Sequence, residues 1–192
     1  SKIKLPVFSK TNTLAFYANT DTTKAAKKDI EVYLYDIPQG ELKVAANNKM
    51  EGLQESWIVS ENGALAFSED GKRLFFGTAP RPREKDTSLV EFEQPQLDIW
   101  SWHEDYLQPV QLLRKARDLR QAYTAYINTS LTEKFVQLGD LDVPVMNIPN
   151  KRMADWALIG NDKAYRVQSQ WDYSRFTDVY FLNVKTGERK LV

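Results

Sequence analysis

Cysteine is absent from the 192 residues. That excludes disulfides, thiolate nucleophiles and cysteine metal sites, and it leaves the compartment open. Histidine occurs once, as His103. A Ser-His-Asp triad would have to use that residue, and a zinc site would have to combine it with carboxylates alone. The nucleophile-elbow pattern Gly-x-Ser-x-Gly does not occur. No apolar run approaches the ~20 residues that span a bilayer, so no membrane span is expected. Neither sign of charge dominates: Lys+Arg and Asp+Glu both number 26. Without a basic stripe, nucleic acid is not an expected partner. No signal-peptide pattern opens the chain. The pairs Asp140 and Asp142, Asn161 and Asp162, and Glu69 and Asp70 lack the Asp-x-Asp-x-Asp-Gly…Glu spacing of a calcium loop. Turn formation accounts for them better, because Asp and Asn side chains bond their own backbone. No catalytic group, metal ligand or cofactor site is therefore expected among these residues.

What is present is a repeat. Glu31-Val32-Tyr33-Leu34-Tyr35-Asp36 runs acid, β-branched, aromatic, any, aromatic, polar. Asp98-Ile99-Trp100-Ser101-Trp102-His103 and Asp178-Val179-Tyr180-Phe181-Leu182-Asn183 have the same form. Asp36 is followed by Gly40-Glu41 and Val44, and Asn183 by Gly187-Glu188 and Leu191 at the same spacing. This reads as strand, glycine turn, strand. A second element precedes the first. Phe67-Ser68-Glu69-Asp70-Gly71-Lys72-Arg73-Leu74-Phe75-Phe76 is a hairpin around Asp70-Gly71, and Phe8-Ser9 through Leu14-Ala15-Phe16 is a shorter version. Trp156 to Ile159 and Ala164 to Val167 are expected to pair across Gly160-Asn161-Asp162. Trp57-Ile58-Val59 is expected to turn at Asn62-Gly63 into Ala64-Leu65-Ala66.

Repeated short strands predict an all-β fold, a partial β-propeller of about three to four blades, each a four-stranded antiparallel sheet. The approximate blades are 2–46, 52–113 and 140–192, with an unplaced hairpin at 121–139. Residues 81–96, rich in proline and charge, predict a loop. Leu112, Leu113, Ala116 and Leu119 fall at helical spacing within 110–123, which allows a short helix.

Residues 65–80, centred on the Phe-Ser-Glu-Asp-Gly-Lys-Arg-Leu run, carry a resemblance together with Leu97-Asp98-Ile99-Trp100 and Asp105-Tyr106-Leu107-Gln108-Pro109. They resemble the N-terminal propeller of Bacteroides-type serine peptidases of the prolyl oligopeptidase family. The Phe-Ser-x-Asp-Gly-Lys-x-Leu phrase also occurs in TolB-like propellers. The peptidase resemblance implies a periplasmic or secreted protein in which the propeller gates or docks peptide substrate for a hydrolase domain outside this chain. The implied partners are the rest of the propeller, that hydrolase domain and the substrate peptide. The TolB-like resemblance implies a binding module for protein or carbohydrate with no enzyme attached. No catalytic residue transfers to any position here.

His103 stands at the polar end of a repeat strand, where a turn residue is expected. Most aromatics fall on repeat positions that pack between sheets. Trp171 and Tyr173 lie outside the repeat in the polar stretch 168–177, and they are the candidates for an exposed contact surface. The chain opens at Ser1 close to a strand and closes on strand-like Lys190-Leu191-Val192, as a segment of a larger protein would. An open arc of blades leaves apolar end faces, so the segment is expected to self-associate or lose order at its ends.

Overall fold

A computed structural model describes residues 3–19, 29–82, 99–130, 135–144 and 146–192. The fold is all-β apart from one three-turn helix and short helical turns, with three antiparallel sheets following one another along the chain. The first sheet is a meander of β1 (Lys4–Phe8), β2 (Thr13–Ala18), β3 (Glu31–Asp36) and β4 (Glu41–Ala46). The second holds β5 (Trp57–Ser60), β6 (Ala66–Phe67), β7 (Arg73–Pro80), β8 (Tyr123–Asn128) and β9 (Phe135–Gln137). The third holds β10 (Trp156–Asn161), β11 (Asp178–Asn183) and β12 (Arg189–Leu191). Helix α1 (Gln108–Asp118) enters the chain between β7 and β8, with proline in its first turn.

Strand alternation stacks the sheets. On the second sheet Leu74, Phe76, Ala125 and Ile127 point to one face and meet Ala15, Tyr17, Val32 and Leu34 of the first sheet. Phe75 and Tyr126, one residue out of phase, point to the other face and meet Ala157, Ile159, Leu182 and Val184. The middle sheet is thus buried on both sides, and its strands read as continuous apolar runs. Face-to-face stacking of short antiparallel sheets in chain order is how propeller blades pack.

The repeat has a clear structural basis. Gly40 N–H donates to the Asp36 carbonyl at 2.8 Å, and Gly187 N–H donates to the Asn183 carbonyl at 2.8 Å. In the Ser68 turn, the Ser68 hydroxyl donates to Asp70 at 2.6 Å and accepts from Arg73 N–H at 2.9 Å. In the Ser9 turn, Ser9 Oγ accepts from Thr11 N–H and Thr13 N–H. Asn12 and Gly71 hold the left-handed position of their turns, φ 58° and 71°. The Phe-Ser-x-Asp-Gly-Lys-x-Leu phrase is therefore turn chemistry.

Three expectations are corrected. Residues 99–103 form no strand, and Asp98 lies outside the described residues. The place of the third strand belongs to β8, which pairs with β7 from Arg73↔Asn128 to Thr78↔Tyr123. The compact apolar side chains of Ala125 and Ile127 are fully buried between the sheets, whereas Trp100 and Trp102 stay 68% and 82% exposed. The hairpin at 121–139 thereby joins the second sheet. Residues 164–167 do not return beside β10, whose partner is β11. Polar ties hold them away: Tyr165 donates to Asp178 at 2.7 Å, and Arg166 pairs with Asp105 and Asp162. Finally, β5 and β6 do not pair with each other. Both lie along β7, Ser60 opposite Gly77 and Ala66 opposite Phe75, as halves of one strand broken at 61–65. The predicted loop at 81–96 lies outside the described residues from 83 onward.

The break is filled from the neighbouring sheet. Tyr17, fully buried, donates its hydroxyl proton to the Gly63 carbonyl at 3.2 Å and accepts from Gly77 N–H at 2.9 Å. Gly63 and Gly77 touch, and a Cβ on Gly63 would overlap the Gly77 Cα. Burial raises the Tyr17 pKa far above that of a free phenol, so it stays protonated as a donor. Tyr17→Phe strands a buried N–H and a buried carbonyl. It is expected to cost about 1–3 kcal/mol in urea unfolding with an unchanged m-value.

Candidate functional site

The broken strand also shapes the surface. Residues 62–64 form part of the wall of a cleft of about 680 Å³. Phe75, Tyr123, Met146 and Ile148 make much of its lining apolar. Three arginines join them: Arg117 and Arg120 from the end of α1 and the turn after it, and Arg152 from the segment before β10. Among the described residues no carboxylate lines this cleft. Among the described residues Arg117 pairs with Asp118 at 3.4 Å, while Arg120 and Arg152 have no ion-pair partner within 4.0 Å. A second cleft, of about 710 Å³, adjoins the first and shares Asn62, Gln121 and Tyr123 with it. Its charges are mixed, with Lys4 and Arg81 beside Glu61 and Asp118. Both volumes are in the range of ligand-binding pockets.

The turn that carries Arg152 is strained. Asn150, Lys151 and Arg152 all have positive φ, 50°, 52° and 68°. Left-handed backbone costs an L-residue about 1–2 kcal/mol, so such a run persists only where its surroundings hold it. Here Glu69 N–H donates to the Lys151 carbonyl at 3.2 Å, and Lys151 Nζ donates to the Glu69 carboxylate at 2.6 Å. Glu69 also accepts from Lys10 at 2.5 Å, so one carboxylate gathers a turn from each of the three sheets. Lys10 first and Lys151 second hold the Glu69 carboxyl below its ordinary range. A parallel tie joins the second and third sheets: Asp155 pairs with Lys185 at 2.6 Å and with Arg73, which also donates to the Ala154 carbonyl at 2.8 Å. Lys185 and then Arg73 hold the Asp155 carboxyl low in the same way.

The residues singled out in the sequence fall elsewhere. His103 is exposed in a turn, its ring against that of Trp102 with centroids 3.4 Å apart. Trp171 and Tyr173 are 81% and 104% exposed, and neither lines the two clefts. Among the described residues no group of three or more His, Asp or Glu side chains could hold a metal ion, and no helix is long and apolar enough to cross a membrane. Sequence reading missed Arg117, Arg120, Arg152 and Met146, which lie up to 35 positions apart and share no motif. Only the Arg-rich end of the predicted helix hinted at them.

No family model and no curated protein matches this sequence. Among solved structures, the chain is similar to TolB from Acinetobacter baumannii, with 14% identity and a TM-score of 0.43. That match covers 99% of this chain and 32% of the other, so the chain spans about a third of the solved protein's length.

Because the folded-state pKa values of Glu69 and Asp155 are lowered, their contribution to stability is complete above the ordinary carboxylate pKa of about 4. It is lost as the pH falls through the lowered values. Thermal melts from neutral pH into acid should show a Glu69→Gln, Asp155→Asn double variant melting below the parent at neutral pH. The gap should close at low pH, and parallel curves would refute the assignment.

Proposed function

We propose that the chain is a non-catalytic segment of a β-propeller and serves as a docking module in a larger, exported protein. The observation that carries the reading is the outer face of the third sheet. Leu158 and Phe181 stand opposite each other across β10 and β11, flanked by Trp156 and Val179. All four are exposed, between 41% and 60%, while the alternate residues Ala157, Ile159 and Leu182 are buried against the second sheet. A sheet that is apolar on both faces is built to be covered on both faces. The two interfaces already formed in this chain are sheet against sheet, so a further sheet of the same kind suits the open face.

The sequence resemblance of residues 65–80 and 97–109 favours a prolyl oligopeptidase-type serine peptidase as the larger protein, with this segment gating or docking its peptide substrate. The coding sequence after Val192 separates that reading from a TolB-like binding module. A Gly-x-Ser-x-Gly elbow followed by Asp and His supports the peptidase, and continued propeller repeats without a hydrolase domain support the module. In the module reading Trp171 and Tyr173 are an exposed contact point for protein or carbohydrate.

The isolated chain should self-associate through the third sheet. Sedimentation velocity over a wide concentration range should show a concentration-dependent oligomer that Leu158→Glu converts to monomer. A parent chain that is monomeric throughout would overturn the reading.

A further inference from the structure

Of the two adjoining clefts, only the one beside residues 62–64 has an excess of one charge among the described residues. Arg117, Arg120 and Arg152 line it, and among the described residues no acidic residue does. Arg120 and Arg152 are exposed and lack carboxylate partners among the described residues, so their donors are available to a ligand. A guanidinium binds a carboxylate in a planar, two-bond arrangement and is more weakly hydrated than an ammonium group. Between the guanidinium groups lie Phe75, Tyr123, Met146 and Ile148, which would receive aliphatic or aromatic side chains. The second cleft adjoins this one, sharing Asn62, Gln121 and Tyr123 with it. Cations beside an apolar lining suit a ligand that offers a carboxylate next to apolar groups. Holding Arg152 at the rim takes three consecutive residues of left-handed backbone, anchored by Glu69. Strain kept by anchoring is a feature of ligand-contacting segments.

We propose that this cleft binds a peptide segment that carries a carboxylate side chain next to apolar side chains, with Arg120 and Arg152 holding the carboxylate. The inference rests on the docking-module reading and names the chemistry of one docked partner.

The test is calorimetric titration of the chain with a short peptide alternating Leu, Phe and Glu, and with the same peptide carrying Gln for Glu. The acidic peptide should bind, and the Gln peptide should bind at least roughly tenfold more weakly, as loss of a charged hydrogen bond implies. An Arg120→Gln, Arg152→Gln variant should bind the acidic peptide with the same loss while keeping the parent's melting temperature. Added salt should weaken the acidic peptide selectively. Equal binding of both peptides, unaffected by the arginine substitutions, would overturn the acidic preference and leave the docking reading standing. Binding of decanoate but neither peptide would assign the cleft to a small aliphatic acid and overturn the proposal. If neither peptide binds while the chain still associates through Leu158, the cleft proposal fails alone. If association is absent as well, both readings fail.

Discussion

Tyr17 reaches from the first sheet into the gap between β5 and β6 and joins the break at Gly63 to Gly77 of β7 with one hydroxyl. The strand next to β7 is interrupted at 61–65, which leaves backbone groups without ladder partners in a buried place. A buried peptide group without a partner costs about as much as a lost hydrogen bond, and no water is needed where a phenol supplies donor and acceptor together. The arrangement works only if the neighbouring backbones approach closely, and Gly63 and Gly77 permit that approach. The first sheet is thereby keyed to the second at one register, and the break it fills supplies part of the wall of the cleft.

The rest of the stack follows from that middle sheet. Its two faces are completed by different neighbours, so neither outer sheet can slide without uncovering Leu74 and Phe76 on one side or Phe75 and Tyr126 on the other. Packing supplies most of the cohesion, since apolar burial scales with the area removed from water. The ion pairs do a different job. Glu69 with Lys10 and Lys151, Asp155 with Arg73 and Lys185, and Asp140 with Arg189 at 2.5 Å lie at the rims and join successive sheets. Exposed pairs contribute little stability each, but they are directional and fix how one sheet is rotated on the next. Their placement also ties the strained turn at 150–152 to the core, so the geometry of the cleft rim and the stacking of the sheets are set together.

The turns were legible from the sequence because their chemistry is local. Ser9 and Ser68, Asn12 and Gly71, and the Asp36 and Asn183 turns each satisfy backbone groups within about five residues, so the pattern is written contiguously. The third-strand repeat was legible at 31–36 and 178–183 and misleading at 98–103. Aromatic alternation made the third copy look like the others, yet Trp100 and Trp102 find no sheet to enter, and the less patterned Tyr123–Asn128 takes the place. Periodicity reports which side chains could share a face; it does not report which segment reaches the neighbouring strand first. The candidate site was almost invisible for the same reason, since its arginines come from a helix end and a strained turn in different parts of the chain.

By itself, the sequence determined the class of fold, the hairpin turns, the absence of thiol chemistry, and the expectation of sheets that need company. Each of these depends on residue type or on neighbours a few positions apart. Tertiary structure alone decided that β5 and β6 are one broken strand, that the hairpin at 121–139 belongs to the second sheet, and that Arg117, Arg120 and Arg152 line one cleft. Those outcomes depend on long-range pairing, where burial of Ala125 and Ile127 and the reach of Tyr17 outweigh local pattern, and no contiguous stretch of sequence records that competition.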